Sequence, residues 1–230
     1  VRVTRESLDL IVDRIESESD VGIVVPQIKN IDDESIQSLG YKYGIFGVPR
    51  AKTDVANEEL EQPHKITYGS GAALLIDSDV WEEIGGFDDE NFMYGDDTYL
   101  CLNAWLRGHR VEVVPSSVVF HEEGASQSKD QRPLIAYHNA RGRTRCYLLT
   151  LESKSIVFGS IGFVSHSAIR IIKDLLNSNF ETAAARTRGY LQTLLELPDI
   201  LSQRRTLQRD RHVRDSEFLS ENVIFDIIHD

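Results

Sequence analysis

The sequence predicts an α/β protein, a mixed sheet flanked by helices and followed by a helical C-terminal extension. Three observations predict it. An amphipathic run near the N-terminus leads directly into a β-branched apolar run, which is the helix-then-strand order of an α/β unit. Two more strand-like runs follow a helix-like segment in the middle of the chain. From residue 153 onward the apolar positions repeat only at helical spacing.

The elements follow in order. In VRVTRESLDLIVDRIESE, Leu8, Ile11, Val12 and Ile15 recur at helical spacing behind Thr4, a good N-cap residue. DVGIVVPQIKN is a short β-branched run closed by Pro26, the pattern of a strand buried on both faces of a parallel sheet. From Ile31 to Pro63 the chain turns polar, with Gly40, Gly44, Gly47 and Pro49 and no sustained period. That predicts a long excursion of the kind that shapes a site. ITYGSGAALLI is the next predicted strand, broken by Gly69 and Gly71, where backbone can approach a ligand closely. Asp79 to Glu82 resembles a capping box opening a short helix that ends at Gly85-Gly86, with Trp81 read as core.

Leu100, Cys101, Ala104 and Trp105 mark a helix that begins near Asp97 and is closed by Gly108. RVEVV and SSVVFH predict two strands separated by Pro115. Pro133 then opens a helix carrying Tyr137, Arg141 and Tyr147 toward Thr150. Residues 1–150 thus form one expected domain. Residues 151–230 form a helical extension, with helical patterns at Ile156 to Leu176 and Ala183 to Leu197 and an arginine-rich stretch, QRRTLQRDRHVRD.

With 230 residues and 41% hydrophobic content the chain can bury a core, and its net charge of -12 disfavours nucleic acid as a partner. Cys101 and Cys146 make neither a CxxC pair nor a disulfide framework. That fits a reducing, cytoplasmic compartment and leaves neither as a metal ligand. The only methionine is Met93 and the chain opens at Val1, so the natural start is expected upstream. The longest apolar stretch, Ser155 to Ile172, contains His166, Arg170 and several serines and falls short of the roughly 20 residues of a span. No spanning helix is predicted. This stretch and the arginines after it leave open a peripheral contact with the inner face of the cell membrane, against a solvated helical cap.

The chemistry concentrates in GGFDDENFMYGDDTYL, where five acids surround Phe92-Met93-Tyr94 and Asp96-Asp97 open a helix. Residue statistics alone favour N-cap aspartates facing the helix dipole. A carboxylate oriented at a helix start can also take a proton from a sugar hydroxyl. A lone histidine at a strand end, such as His121, is by composition more often structural than a ligand.

YGSGAALLI, then GGFDDENFMYGDDTYLCLNAWLRGHRVEVVPSSVVFHEEGAS, then a helix with an arginine cluster, resembles the second half of family 2 glycosyltransferases with the Rossmann-like GT-A fold. The resemblance runs from Val1 to about Thr150. It implies that Asp97 is the catalytic base, that Asp96 helps shape the acceptor pocket and that His121 is a metal ligand. It implies that Ser70 and Gly71 lie beneath donor sugar and acceptor, with Tyr94 placed to stack on a sugar face. Arg141 matches the arginine of a frequent Arg-Asn pair, with Gly142 standing where the pair has asparagine.

The implied activity is inverting transfer of a hexosyl or deoxyhexosyl group, as in polysaccharide and cell-envelope assembly. The donor is a nucleotide sugar, the acceptor a glycan or a lipid-linked acceptor, and the cofactor Mg²⁺ or Mn²⁺. The Asp-x-Asp motif and the nucleotide-binding units that the family places before such a segment are not in these 230 residues. The fragment by itself is therefore expected to be inactive. The alternative is a non-catalytic module that binds glycans or a partner. A nucleotidyltransferase would need a Gly-rich nucleotide signature, which the sequence lacks.

Overall fold

In the computed structural model, which describes residues 1–53, 60–122 and 131–219, Thr4 caps the first helix as its chemistry predicts. Its hydroxyl accepts from Ser7 N at 3.1 Å and satisfies one of the free N–H groups of α1 (Arg5–Ser17). α1 lays Ile11 against Val21 and Val24 of β1 (Val21–Asn30). The alternate residues Ile23 and Val25 point the other way, into the main core, so β1 is buried on both faces as predicted.

The excursion after β1 holds three short strands, β2 (Ile36–Ser38), β3 (Tyr41–Tyr43) and β4 (Pro49–Ala51). It is thus more ordered than its lack of period suggests; residues 54–59 lie outside the described residues. β5 (His64–Lys65) and β6 (Leu75–Ile76) frame the glycine-containing segment. Then come α2 (Ser78–Ile84), α3 (Asp96–Leu106), β7 (Arg110–His121), α4 (Arg132–Thr150), α5 (Ser153–Leu176), α6 (Phe180–Leu195) and α7 (Leu197–Arg209). The main sheet runs β2-β1-β7-β5, with β6 also on β1. β1 and β7 are parallel and the other pairs antiparallel, so the sheet is mixed.

Both prolines read as strand ends lie inside strands. Pro26 does not close β1, and Pro115 does not divide β7 into two. The β1–β7 register slips between Pro26 and Gln27, whose partners are Val114 and Val118, so the missing N–H of each proline falls at an irregularity of the ladder. ITYGSGAALLI is not one strand either. Tyr68 bridges to Tyr41, a turn closes from Ala73 N to Ser70 O, and pairing resumes only at Leu75. Tertiary packing overrides the pattern here: a Cβ on Gly69 would lie 2.1 Å from Val25 Cγ1, so the backbone sits directly on β1.

α2 is capped by Asp77, whose carboxylate accepts from Asp79 N and Val80 N, and not by the predicted box beginning at Asp79. It ends as expected at Gly85, in the left-handed conformation. Trp81 is 36% exposed and meets Phe87 edge-on at 5.5 Å, so it is a surface residue and not core. Val80 and Ile84 fill the inward face instead.

Beyond Thr150 the helices share the main core, which includes Ile200, Leu207 and Phe218. The arginine-rich stretch contributes a helix, α7, that the periodicity does not show; Pro198 starts it just after α6 ends. Arg204 donates to Leu148 O at 2.6 Å, Gln208 to Leu149 O at 2.8 Å and Arg211 to Thr150 O at 3.0 Å, which satisfies the free carbonyls at the end of α4. α5 runs past Ile172 to Leu176. Among the described residues it is long and apolar enough, by length and composition, to cross a membrane, contrary to the reading of the shorter stretch. The polar residues counted against it, His166 and Arg170, lie on its half-buried side, while Phe158, Ile161 and Val164 are exposed.

Candidate functional site

The first turn of α3 carries Asp96 and Asp97, and the helix behind them is fixed by fully buried Leu100, Cys101, Leu102, Ala104 and Leu106. The chain enters α3 through two consecutive left-handed residues, Tyr94 (φ 62°) and Gly95 (φ 91°). Tyrosine pays for that conformation with strain of the order of 1 kcal/mol, which the surroundings must hold in place. The neighbour that holds it is Gly142 of α4: a Cβ there would lie 1.9 Å from Tyr94 O.

Asp97 is half-buried. Its Oδ2 accepts from Gly71 N at 3.1 Å, and its Oδ1 accepts from Thr98 N at 2.7 Å and Thr98 Oγ1 at 3.3 Å. Burial pushes the carboxyl above the usual aspartate range; the Gly71 and Thr98 hydrogen bonds pull against this, and the charge of Asp96 adds to it. A carboxylate with raised proton affinity, fixed on a rigid helix and facing a cavity, is suited to accepting a proton.

That cavity has a volume of about 430 Å³, and Ser70, Gly71, Tyr94, Asp96, Asp97 and His121 all line it. One wall is aromatic, with Tyr41 stacked on Tyr68 at 4.8 Å and Tyr43 edge-on to Tyr68 at 6.4 Å. Such faces suit the apolar side of a sugar ring. His121 ends β7 and its Nδ1 lies 3.1 Å from Gln37 Oε1, a contact that orients the ring. An imidazole among carboxylates suits Mg²⁺ or, better, Mn²⁺. Among the described residues, however, no three His, Cys, Asp or Glu side chains come together as a metal site. Burial raises the Cys101 thiol to about 12 and raises the Cys146 thiol as well, so both are protonated at neutral pH.

Residues 24–144, just over half of the chain, match the family described as Glycosyltransferase like family 2. The chain belongs to this family. Two curated relatives from Mycobacterium tuberculosis, strains CDC 1551 / Oshkosh and ATCC 25618 / H37Rv, are both N-acetylglucosaminyl-diphospho-decaprenol L-rhamnosyltransferases. Each is 27% identical over 120 residues, covering 51% of this chain and 39% of the relative, so the chain spans about two fifths of their length. Among solved structures, GalNAc-T7 with UDP, GalNAc and Mn²⁺ superposes with a TM-score of 0.51 at 16% identity, covering 68% of this chain and 31% of that one. That likeness supports the GT-A fold.

In this family 2 domain one predicted site residue stands apart from the others. Arg141 does not line the cavity; its guanidinium pairs with Glu196 at 2.9 Å and donates to Glu90 O, joining α4 to the start of α7. Arg143 lines the cavity instead. Two residues along an α-helix turn a side chain by about 200°, so the two arginines face opposite sides. Asn139, Arg143 and Cys146, at helical spacing, form the cavity face of α4. That spacing is the signal by which Arg143 is readable from sequence. Tyr41, Tyr43 and Tyr68 carry no such local signal, because the turns of the excursion bring them together.

Proposed function

We propose that this domain is the acceptor-side part of an inverting glycosyltransferase, with Asp97 as general base. The observation that carries the reading is the Asp97 carboxylate, raised in proton affinity, held by Gly71 N–H and facing a cavity with an aromatic wall. In the intact enzyme Asp97 takes the proton of an acceptor hydroxyl as its oxygen attacks the anomeric carbon of a nucleotide sugar. The bond to the nucleoside diphosphate breaks on the opposite face, so configuration inverts. Asp96 and Tyr94 border the acceptor, and Ser70 and Gly71 form the floor. A divalent metal, when bound, offsets charge on the leaving diphosphate. His121 is the side chain here that would hold it.

The curated relatives' names point to a lipid-linked acceptor and a deoxyhexosyl group. Transfer of radiolabelled sugar from a panel of nucleotide sugars to lipid-diphosphate acceptors, using the full-length protein, tests this. Products only on free glycans would move the acceptor class. His121→Ala should raise the metal concentration needed for half-maximal activity while leaving the acceptor KM within about twofold. An unchanged metal titration would leave His121 a structural residue. For the 230 residues alone we propose that transfer does not occur, because the ligand set around His121 is incomplete among the described residues.

The reading keeps two parts, residues 1–150 and a helical extension from 151, at the cytoplasmic face of a membrane. Exposed Val157, Phe158, Ile161 and Val164 on α5 and Leu191, Leu194 and Leu195 on α6, with exposed Arg188, Arg205 and Arg209 nearby in sequence, combine apolar and basic surface. The chain should float with vesicles containing anionic lipid at low salt, and Ile161→Asp should reduce flotation several-fold. A chain that stays in the bottom fraction would make these helices a solvated cap.

A further inference from the structure

The cavity has a basic wall that the proposed chemistry does not use. Arg143 is 6% exposed; it donates to Gly47 O at 2.8 Å and stands 5.9 Å over the ring of Phe163, while its Nε has no hydrogen-bond partner. No carboxylate pairs with it among the described residues. Tyr43 Oη, a second donor on the same cavity, is also buried without a partner among the described residues, as is the acceptor Asn139 Oδ1. A buried guanidinium left with an open donor is costly and uncommon in folded proteins, and a bound ligand that supplies the acceptor is one way to meet it.

The charge continues along α5. Phe163, His166, Arg170 and Asp174 recur at three and four residues and therefore share one face. At its far end Asp174 is taken by Arg186 of α6 at 2.7 Å. Between that pair and Arg143, His166 and Arg170 make no ion pair or hydrogen bond among the described residues. Burial, with the neighbouring arginines, lowers Arg170 to about 10 and His166 to about 4. His166 is therefore neutral near pH 7, and the positive charge at this end of α5 is that of Arg143, Arg170 and Arg186, with Asp174 the nearby carboxylate.

We propose that Arg143 and Tyr43, which both line the cavity, form a subsite for the phosphate group of a substrate, with the charge of Arg170 on α5 adding to it from outside the cavity lining. Phosphate oxygens accept from a guanidinium fork and from a tyrosine hydroxyl, which matches the open donors. The subsite rests on the reading of the cavity as the transfer site. Two substrates of that reaction carry such a group, the nucleotide of the donor and the diphosphate of a lipid-linked acceptor.

The test is calorimetric titration of the 230-residue chain with inorganic pyrophosphate, UDP and farnesyl diphosphate, without metal, followed by Arg143→Gln and Arg170→Gln. Binding of at least one probe is expected, weakened about tenfold or more by Arg143→Gln and several-fold by Arg170→Gln at unchanged melting temperature. Preference for farnesyl diphosphate over UDP assigns the subsite to the acceptor, and the reverse assigns it to the donor. Arg170 lies at the half-buried surface of α5, so its variant decides the matter if Arg143→Gln does not fold. Absence of binding to the wild-type chain, or equal binding by the variants, overturns the subsite. Neither result touches the role of Asp97, which is read from transfer and not from phosphate binding.

Discussion

Arg145→Ala is expected to destabilise the protein by about 3–5 kcal/mol, the cost of breaking a buried pair by removing one partner. Its side chain is 2% exposed and forks onto Asp88, 8% exposed, with Nη2 to Oδ1 at 3.1 Å and a further contact to Gln203. Removing the guanidinium leaves the Asp88 carboxylate desolvated and unpaired. It also releases the loop that runs from Asp88 to the start of α3, where the site acids stand. Against a total stability of roughly 5–15 kcal/mol, such a loss leaves a measurable unfolded population at ordinary temperature. Urea denaturation of the variant should show a lower midpoint at unchanged slope. A loss under about 1 kcal/mol would mean that water replaces the guanidinium at Asp88.

What could be read from the sequence was decided locally. The Thr4 cap, the left-handed Gly85, the proline opening α4 and the two-sided burial of β1 each depend on a few adjacent residues, and each is found. The errors come from partners that are distant in sequence. Pro26 and Pro115 read as breakers because their cost depends on the neighbouring strand, and the register slip between β1 and β7 removes it. ITYGSGAALLI reads as a strand because nothing local reports that Gly69 lies on Val25. At the site, Asp96, Asp97, Ser70, Gly71, Tyr94 and His121 are legible from several separated motifs, and the fold gathers them around one cavity. Arg141, which the resemblance offers through a separate Arg-Asn pair, faces α7, because helix phase places Arg143, and not Arg141, on the cavity side.

Asp97→Asn in the full-length enzyme is expected to lower turnover by about a hundredfold or more, the usual loss on removing a general base, with donor binding nearly unchanged. The raised carboxyl also fixes a pH signature. A base works only when ionised, so wild-type kcat/KM should fall as pH drops through the raised Asp97 value. For stability the sign is opposite. An aspartate whose folded value is raised favours folding below its unfolded value, and that contribution is lost as pH rises through the folded value. At neutral pH the charged side chain therefore costs stability, and Asp97→Asn should melt at or above the wild-type temperature, with the difference shrinking in acid. Loss of activity without loss of stability separates a chemical role from a structural one.

The most direct measurement is the single-turnover transfer rate of full-length wild-type and Asp97→Asn enzyme, taken across pH with saturating donor and metal. The wild-type rate is expected to fall on the acid side, and the variant rate to be about a hundredfold lower and no longer to show that fall. A variant within a few-fold of wild type, with the same acid limb, would show that the proton goes elsewhere and that Asp97 serves to tie the first turn of α3 to Gly71.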